Sequence, residues 1–203
     1  QYMDINRGDR FEYLTSVSSN QFGISQAAAE KFGKDSPQAK MRYRLGDMNS
    51  TLIRTYRGRT ILVQHDTTSP RPYSRINLIS GTRGILADYP LRVALAPNTH
   101  NWMKDSELEE LKAKYVHPLW DKKGEAAKKA GGHGGMDFLM DLRLCHCLQN
   151  GLPLDIDVYD TALWSSLVEL TEQSVERGGK PVDVPDFTRG AWKVAEPLGI
   201  VTV

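Results

Sequence analysis

Residues 10–18 alternate large with small or polar side chains behind the turn-prone stretch 6–9, a pattern that predicts a strand. Residues 24–32 are rich in alanine and stop at Gly33, as a short helix does. A series of short β-branched runs follows. Residues 51–56 and 60–64 flank Arg57-Gly58-Arg59, a hairpin by length and by its glycine, and 75–79, 84–87 and 91–95 continue the series. Beyond Pro97 the period becomes that of a helix. Residues 106–115 put Leu108 and Leu111 on one face behind Ser106 as a cap, and 122–130 form a polar Ala/Lys segment. Two stronger helices come next: 136–148, with Phe138, Leu139, Leu142 and Leu148 for a core, and 158–176, with Leu163, Leu167, Leu170 and Val175. Asn150-Gly151 and Gly178-Gly179 stop them.

Strands first and helices afterwards predict an α+β fold: a largely antiparallel, open β-sheet with helices packed on one face. Residues 1–203 read as a single domain, without internal repeat or low-complexity linker. A sheet covered on one side leaves its other face for a ligand, another domain or a second subunit.

Composition narrows the function classes. With 26 Lys+Arg against 25 Asp+Glu and a net charge of +1, the chain lacks the basic excess that drives binding to nucleic acid or anionic membrane. No apolar run approaches the roughly 18–20 residues of a membrane helix. Gln1 leads straight into Tyr2-Met3-Asp4 without an initiator Met or cap, so the expectation is a piece of a longer protein whose leader, if any, lies upstream. Cys145 and Cys147 fall on different faces of a helix and read as core thiols, although His146 between them also admits a metal site.

The glycine fingerprint of dinucleotide folds, the phosphate-binding loop and the zinc-protease helix motif are all missing. Gly131-Gly132-His133-Gly134-Gly135 follows a polar helix rather than a strand, the wrong context for a dinucleotide loop. Four other segments carry a resemblance. Residues 1–10 (QYMDINRGDR), 68–75 (TSPRPYSR), 132–138 (GHGGMDF) and 184–193 (VPDFTRGAWK) together resemble the C-terminal half of glycoside hydrolase family 109. These are bacterial NAD-dependent α-N-acetylgalactosaminidase-type enzymes of the Gfo/Idh/MocA oxidoreductase superfamily.

The resemblance implies a Rossmann domain upstream of Gln1, together with a Tyr-Pro-x-His-Gly segment that bears the catalytic Tyr and His. Neither lies in this chain, so it is expected to carry no catalytic residue, to hold no NAD by itself and to be inactive alone. The implied chemistry departs from the two-carboxylate scheme of most glycosidases. NAD oxidises a sugar hydroxyl, the leaving group is eliminated, water adds, and the ketone is reduced again. The implied partners are a sugar substrate, the parent's own Rossmann domain and a second copy through the open sheet face. A periplasmic or secreted parent is favoured by resemblance alone.

Candidate substrate-binding residues follow. Tyr73 matches the family's substrate-reaching tyrosine, in a loop stiffened by Pro70 and Pro72, though it also reads as packing at a strand end. Arg71 and Arg75 flank it as ligand contacts or surface charges. His65 and Asp66 end the strand that leads into the loop and alternate in direction, so one faces the loop's contents; a structural ion pair is the competing reading, and His65 is the better candidate. His133 opens a glycine-rich helix entrance, with Asp137 one turn on, either as a substrate pair or as a helix cap. Asp155, Asp157 and Asp160 read as caps of the last long helix, and Trp164 on that helix reads as core.

Two other functions fit the same residues: the corresponding half of an NAD(P)-dependent sugar dehydrogenase, and a non-catalytic carbohydrate-binding or assembly module.

Overall fold

The computed structural model describes residues 2–98 and 100–203. In chain order the elements are β1 (Phe11–Ser18), α1 (Gly23–Phe32), α2 (Pro37–Lys40), β2 (Met48–Thr55), β3 (Thr60–Asp66), β4 (Asn77–Gly81), β5 (Gly84–Asp88), β6 (Arg92–Leu95), α3 (Asp105–Tyr115), α4 (Pro118–Ala130), α5 (Met136–Asn150), α6 (Val158–Glu176) and β7 (Val182–Asp183). They fall into two compact units, one of residues 1–70 and 150–199, the other of 71–149 and 200–203.

The first unit is built on a four-stranded antiparallel sheet in the order β3-β2-β1-β7. Along β2 the side chains of Asn49, Thr51, Ile53 and Thr55 are buried, while Leu52 between them is exposed, the period of two expected of a sheet with one covered face. α6 provides the cover. Asp160, Leu163, Leu170 and Ser174 are its buried residues, at helical spacing, and it packs along β1. Leu14 and Ile53, both essentially inaccessible, meet Phe11, Leu163, Leu170, Val182 and Val184 in the core. Each such aliphatic side chain contributes about 1.5–3 kcal/mol relative to exposure. The opposite face stays open, with Val17, Leu52 and Leu62 exposed on adjacent strands.

The second unit pairs β4, β5 and β6 as a separate three-stranded antiparallel sheet and adds α3, α4 and α5. The fold class expected from the sequence therefore holds, but the strand series does not form one ladder. Residues 69–76, containing Pro70 and Pro72, lie outside regular structure, because a proline offers no N–H to a neighbouring strand.

Four local expectations are corrected. α3 begins at Asp105 after an N-cap at Lys104, whose backbone N–H donates to Glu107 (2.9 Å), so Ser106 is not the cap. Trp164 is 54% exposed because it sits one residue round from Leu163, off the face that meets the sheet. Cys147 is buried but Cys145 is exposed, since two helical residues span about 200°. Leu148, assigned to the core of α5, is exposed as well.

Candidate functional site

His133 and Asp137 do meet, although the backbone from His133 to Gly135 has positive φ and is not the helical turn expected of it. A 3-10 turn of His133–Gly135 precedes α5, and His133 Nδ1 lies 2.9 Å and 3.1 Å from the two carboxylate oxygens of Asp137. The backbone around the pair favours glycine at Gly132. Its φ is +72°, and a Cβ there would stand 2.8 Å from Asp137 Oδ2. Gly135 is held as closely, because its Cβ would meet the Ala127 carbonyl carbon at 2.6 Å, which packs the turn against α4. A carboxylate on Nδ1 fixes the imidazole's tautomer and turns Nε2 outward, where it can accept or deliver a proton. Both side chains are exposed.

Tyr73 is 74% exposed, and its hydroxyl accepts a hydrogen bond from Arg75 Nε at 2.8 Å. The Tyr73 ring meets Tyr89 edge-on, with centroids 6.1 Å apart. This assigns Arg75 as a support for the phenol, and it adds Tyr89, which no motif of the sequence marks. A phenol that accepts from a guanidinium keeps its own O–H for donation to a ligand. Arg71 is exposed in the same segment. Tyr73, Arg71, His133 and Asp137 all belong to the second unit.

His65 belongs to the first. It pairs in register with Asn49, on the sheet face that α6 covers further along, but at the edge strand it is exposed. Asp66 points the other way and closes a turn by accepting from the N–H groups of Thr68 (3.3 Å) and Ser69 (3.0 Å).

The first and fourth motif segments come together in the first unit and are spent on structure. Gly8 N–H donates to the Trp192 carbonyl (2.7 Å), and Arg10 Nη1 to the Val184 carbonyl (3.2 Å). Asp9, fully buried, accepts from the backbone N–H of Arg10 and Arg57 and from Arg59 Nη1. Asp186 gathers the Thr188 hydroxyl, the N–H groups of Thr188 and Gly190 and the indole N–H of Trp192; burial raises its pKa, and the Thr188 and Gly190 donors, with the charge of Arg10, outweigh that and hold it below the ordinary value. Asp157 and Asp160 do cap α6, as expected, with Asp157 accepting from the N–H of Tyr159 and Asp160. They also clamp Arg7 at 3.1 Å and 2.8 Å. Burial pushes the Asp160 carboxyl up, but Arg7, the Asp157 N–H and Asn6 pull it down further, so the net direction is below the ordinary aspartate value.

Among the described residues no cluster of three or more His, Cys, Asp or Glu forms a metal site, and His146 with the two cysteines does not make one.

The model of the glycosyl hydrolase 109 C-terminal domain matches residues 1–194. The chain belongs to that family. It is 54% identical over 205 residues to the glycosyl hydrolase family 109 protein of Shewanella amazonensis, covering 99% of this chain and 45% of that protein. It is 53% identical to family 109 protein 2 of Shewanella sp. strain ANA-3, covering 99% and 44%. The family 109 chain thus spans less than half the length of these curated relatives. Among solved structures, levoglucosan dehydrogenase in complex with NADH and levoglucosan superposes with a TM-score of 0.57 at 17% identity, over 87% of this chain and 46% of that one. An oxidoreductase domain protein from Kribbella flavida gives 0.56 at 14%, over 88% and 47%. At such identities the likeness is one of fold, and the resemblance read from the four segments is borne out at the level of family and fold.

Proposed function

We infer that this chain is the substrate-binding and assembly half of an NAD-dependent glycoside hydrolase acting on an N-acetylhexosaminide by oxidation, elimination, addition and reduction. The observation that carries the reading is the 54% identity to a family 109 protein more than twice as long. The dinucleotide itself does not fit here. The glycine run at 131–135 follows α4, and every ladder between the named strands is antiparallel, so no strand–glycine loop–helix unit exists among the described residues. NAD therefore belongs, in this reading, to a Rossmann domain in the remainder of the parent.

What this half contributes is orientation. Tyr73, braced by Arg75, donates to a sugar hydroxyl and offers its ring to the pyranose, and Arg71 lies two residues away to meet an acceptor. His133, its Nδ1 held by Asp137, presents Nε2 as the acceptor for the proton of a ring hydroxyl. His65, at the exposed end of β3, serves as a further polar contact. The open face bearing Val17, Leu52 and Leu62 pairs with a second copy, as an uncovered apolar sheet face favours.

The test uses the full-length parent with an aryl α-N-acetylgalactosaminide. Stripping the cofactor abolishes aglycone release, NAD restores it, and NADH does not accumulate in step with product. NADH accumulation without aglycone release replaces the hydrolase with a sugar dehydrogenase.

A further inference from the structure

β1 and β2 are neighbouring antiparallel strands, which a two-residue turn would suffice to connect, yet the chain makes an excursion between them that holds α1 and α2. α1 buries none of its residues, and Phe22 and Tyr43 stand exposed beside it. The excursion is nevertheless tightly made. Asp47 accepts from the N–H groups of Phe22 (2.6 Å), Gly23 (2.7 Å) and Ile24 (3.1 Å). Gln21 laces the two sides together, donating to Ser25 Oγ (2.8 Å) and the Met41 carbonyl (2.7 Å) and accepting from Tyr43 N–H (2.7 Å).

Between these sides lies a groove of about 580 Å³, whose walls include Asn20, Phe22, Ser25, Arg42, Tyr43 and Arg44. No Asp or Glu lines it. Arg44 is committed to Glu172 and Glu176 of α6. Arg42 has no hydrogen-bond or ion-pair partner among the described residues. A guanidinium without such a partner, in a groove also lined by two aromatic side chains and on walls already fixed by hydrogen bonds, suits a ligand with an anionic group and a ring of aliphatic C–H bonds. Asn20 and Ser25 add short donors and acceptors of the kind that sugar hydroxyls use. A peptide anchor would call instead for a deep apolar pocket.

We propose that this groove binds an acidic sugar, its ring on Phe22 and Tyr43 and its carboxylate or sulfate on Arg42. The site involves neither Tyr73 nor His133 and stands independently of the reaction inferred above. Because the walls are pre-organised, little ordering opposes binding.

The test is an NMR titration of the isotope-labelled chain with glucuronic acid and with galactose 6-sulfate, at matched ionic strength, against galactose, acetate and sulfate. Saturable shifts at the amides of Phe22, Gly23, Arg42 and Tyr43 are expected at millimolar acidic sugar and from none of the three comparison ligands. Arg42→Gln and Phe22→Ala each weaken binding by about tenfold or more, without changing Tm, since both side chains are exposed. Equal shifts from acetate or sulfate would reduce the site to an anion contact and overturn the proposal. So would equal binding of galactose, an absence of saturable shifts, or wild-type affinity in Arg42→Gln. None of these outcomes bears on cofactor-dependent turnover by the parent, so the two readings fail separately.

Discussion

The imidazole of His133 and the carboxylate of Asp137 are joined at 2.9 Å across the entrance to α5, and Gly132 is the residue that makes room for them. Gly132→Ala adds both a strained φ and a collision with Asp137 Oδ2, whereas Gly134→Ala, at the same φ of +72° with nothing within 4 Å, adds strain alone. Both should lose about 1–2 kcal/mol of stability in denaturant titrations. Only Gly132→Ala should also depress kcat/KM of the full-length parent, and in step with Asp137→Ala. Equal activity of the two alanine variants would remove the pair from the site.

Arg7 is the hinge pin of the N-terminal motif. Arg7→Met leaves Asp160, nearly buried, without its counter-charge, and should cost roughly 2–4 kcal/mol. Arg57→Met, at an exposed side chain without an ion-pair partner among the described residues, should stay within about 0.5 kcal/mol. Urea midpoints of the two variants decide it.

Acid sensitivity should centre on Asp47. Backbone N–H donation from Gly23, opposed by burial and joined by Ile24 and Phe22, holds its carboxyl below the ordinary 3.8. The folded state therefore releases this proton more readily than the unfolded one, so the stabilisation is fully present above 3.8 and is lost as pH falls through the lower folded value. Asp47→Asn should lower stability at neutral pH and flatten the acid limb of Tm against pH. A limb as steep as wild type would assign acid unfolding to other groups, Asp160 and Asp186 foremost.

Tyr73→Phe keeps the ring against Tyr89 and removes only the hydroxyl. In the full-length parent it should cost roughly 0.5–3 kcal/mol of transition-state binding, read as kcat/KM on an aryl α-N-acetylgalactosaminide, with Tm unchanged because the residue is exposed. Wild-type kinetics would leave Tyr73 as packing alone.

Leu62→Glu puts a charge in the middle of the open face, opposite Leu52. Light scattering should show a dimer for the unmodified chain and a monomer for the variant, with little loss of stability, since Leu62 is already solvent-exposed. An unmodified chain that stays monomeric at high concentration would count against pairing through this face.

Local signals in the sequence located most elements, because β-branched alternation and glycine stops act at short range. α6 spans the residues its periodicity marks, whereas the His133–Asp137 contact, though it joins the pair that the spacing picked out, is made through positive φ at His133, Gly134 and Gly135 rather than through a helical turn. What stayed illegible depends on distant partners. The break between the two sheets, the exposure of Trp164 and the meeting of residues 1–10 with 184–193 are set by which faces find cover. Tyr89 escaped notice for the same reason: only the folded chain brings it to Tyr73. Asp47 carried no helix-cap signature, since it caps α1 from the far end of the excursion.

The excursion between β1 and β2 is also a closed circuit. Ser19 N–H donates to the Met48 carbonyl (2.8 Å) and Asp47 N–H to that of Asn20 (3.4 Å), so its two ends are already clasped before residues 21–46 begin. The sheet register Ser18↔Asn49 therefore does not depend on what the loop contains. Because loop entropy grows only slowly with length, the segment beyond the residue 22–24 amides that Asp47 needs can vary as a cassette while β1 and β2 stay in step. Whatever that cassette recognises can change without touching the core, whose residues all lie outside 21–46.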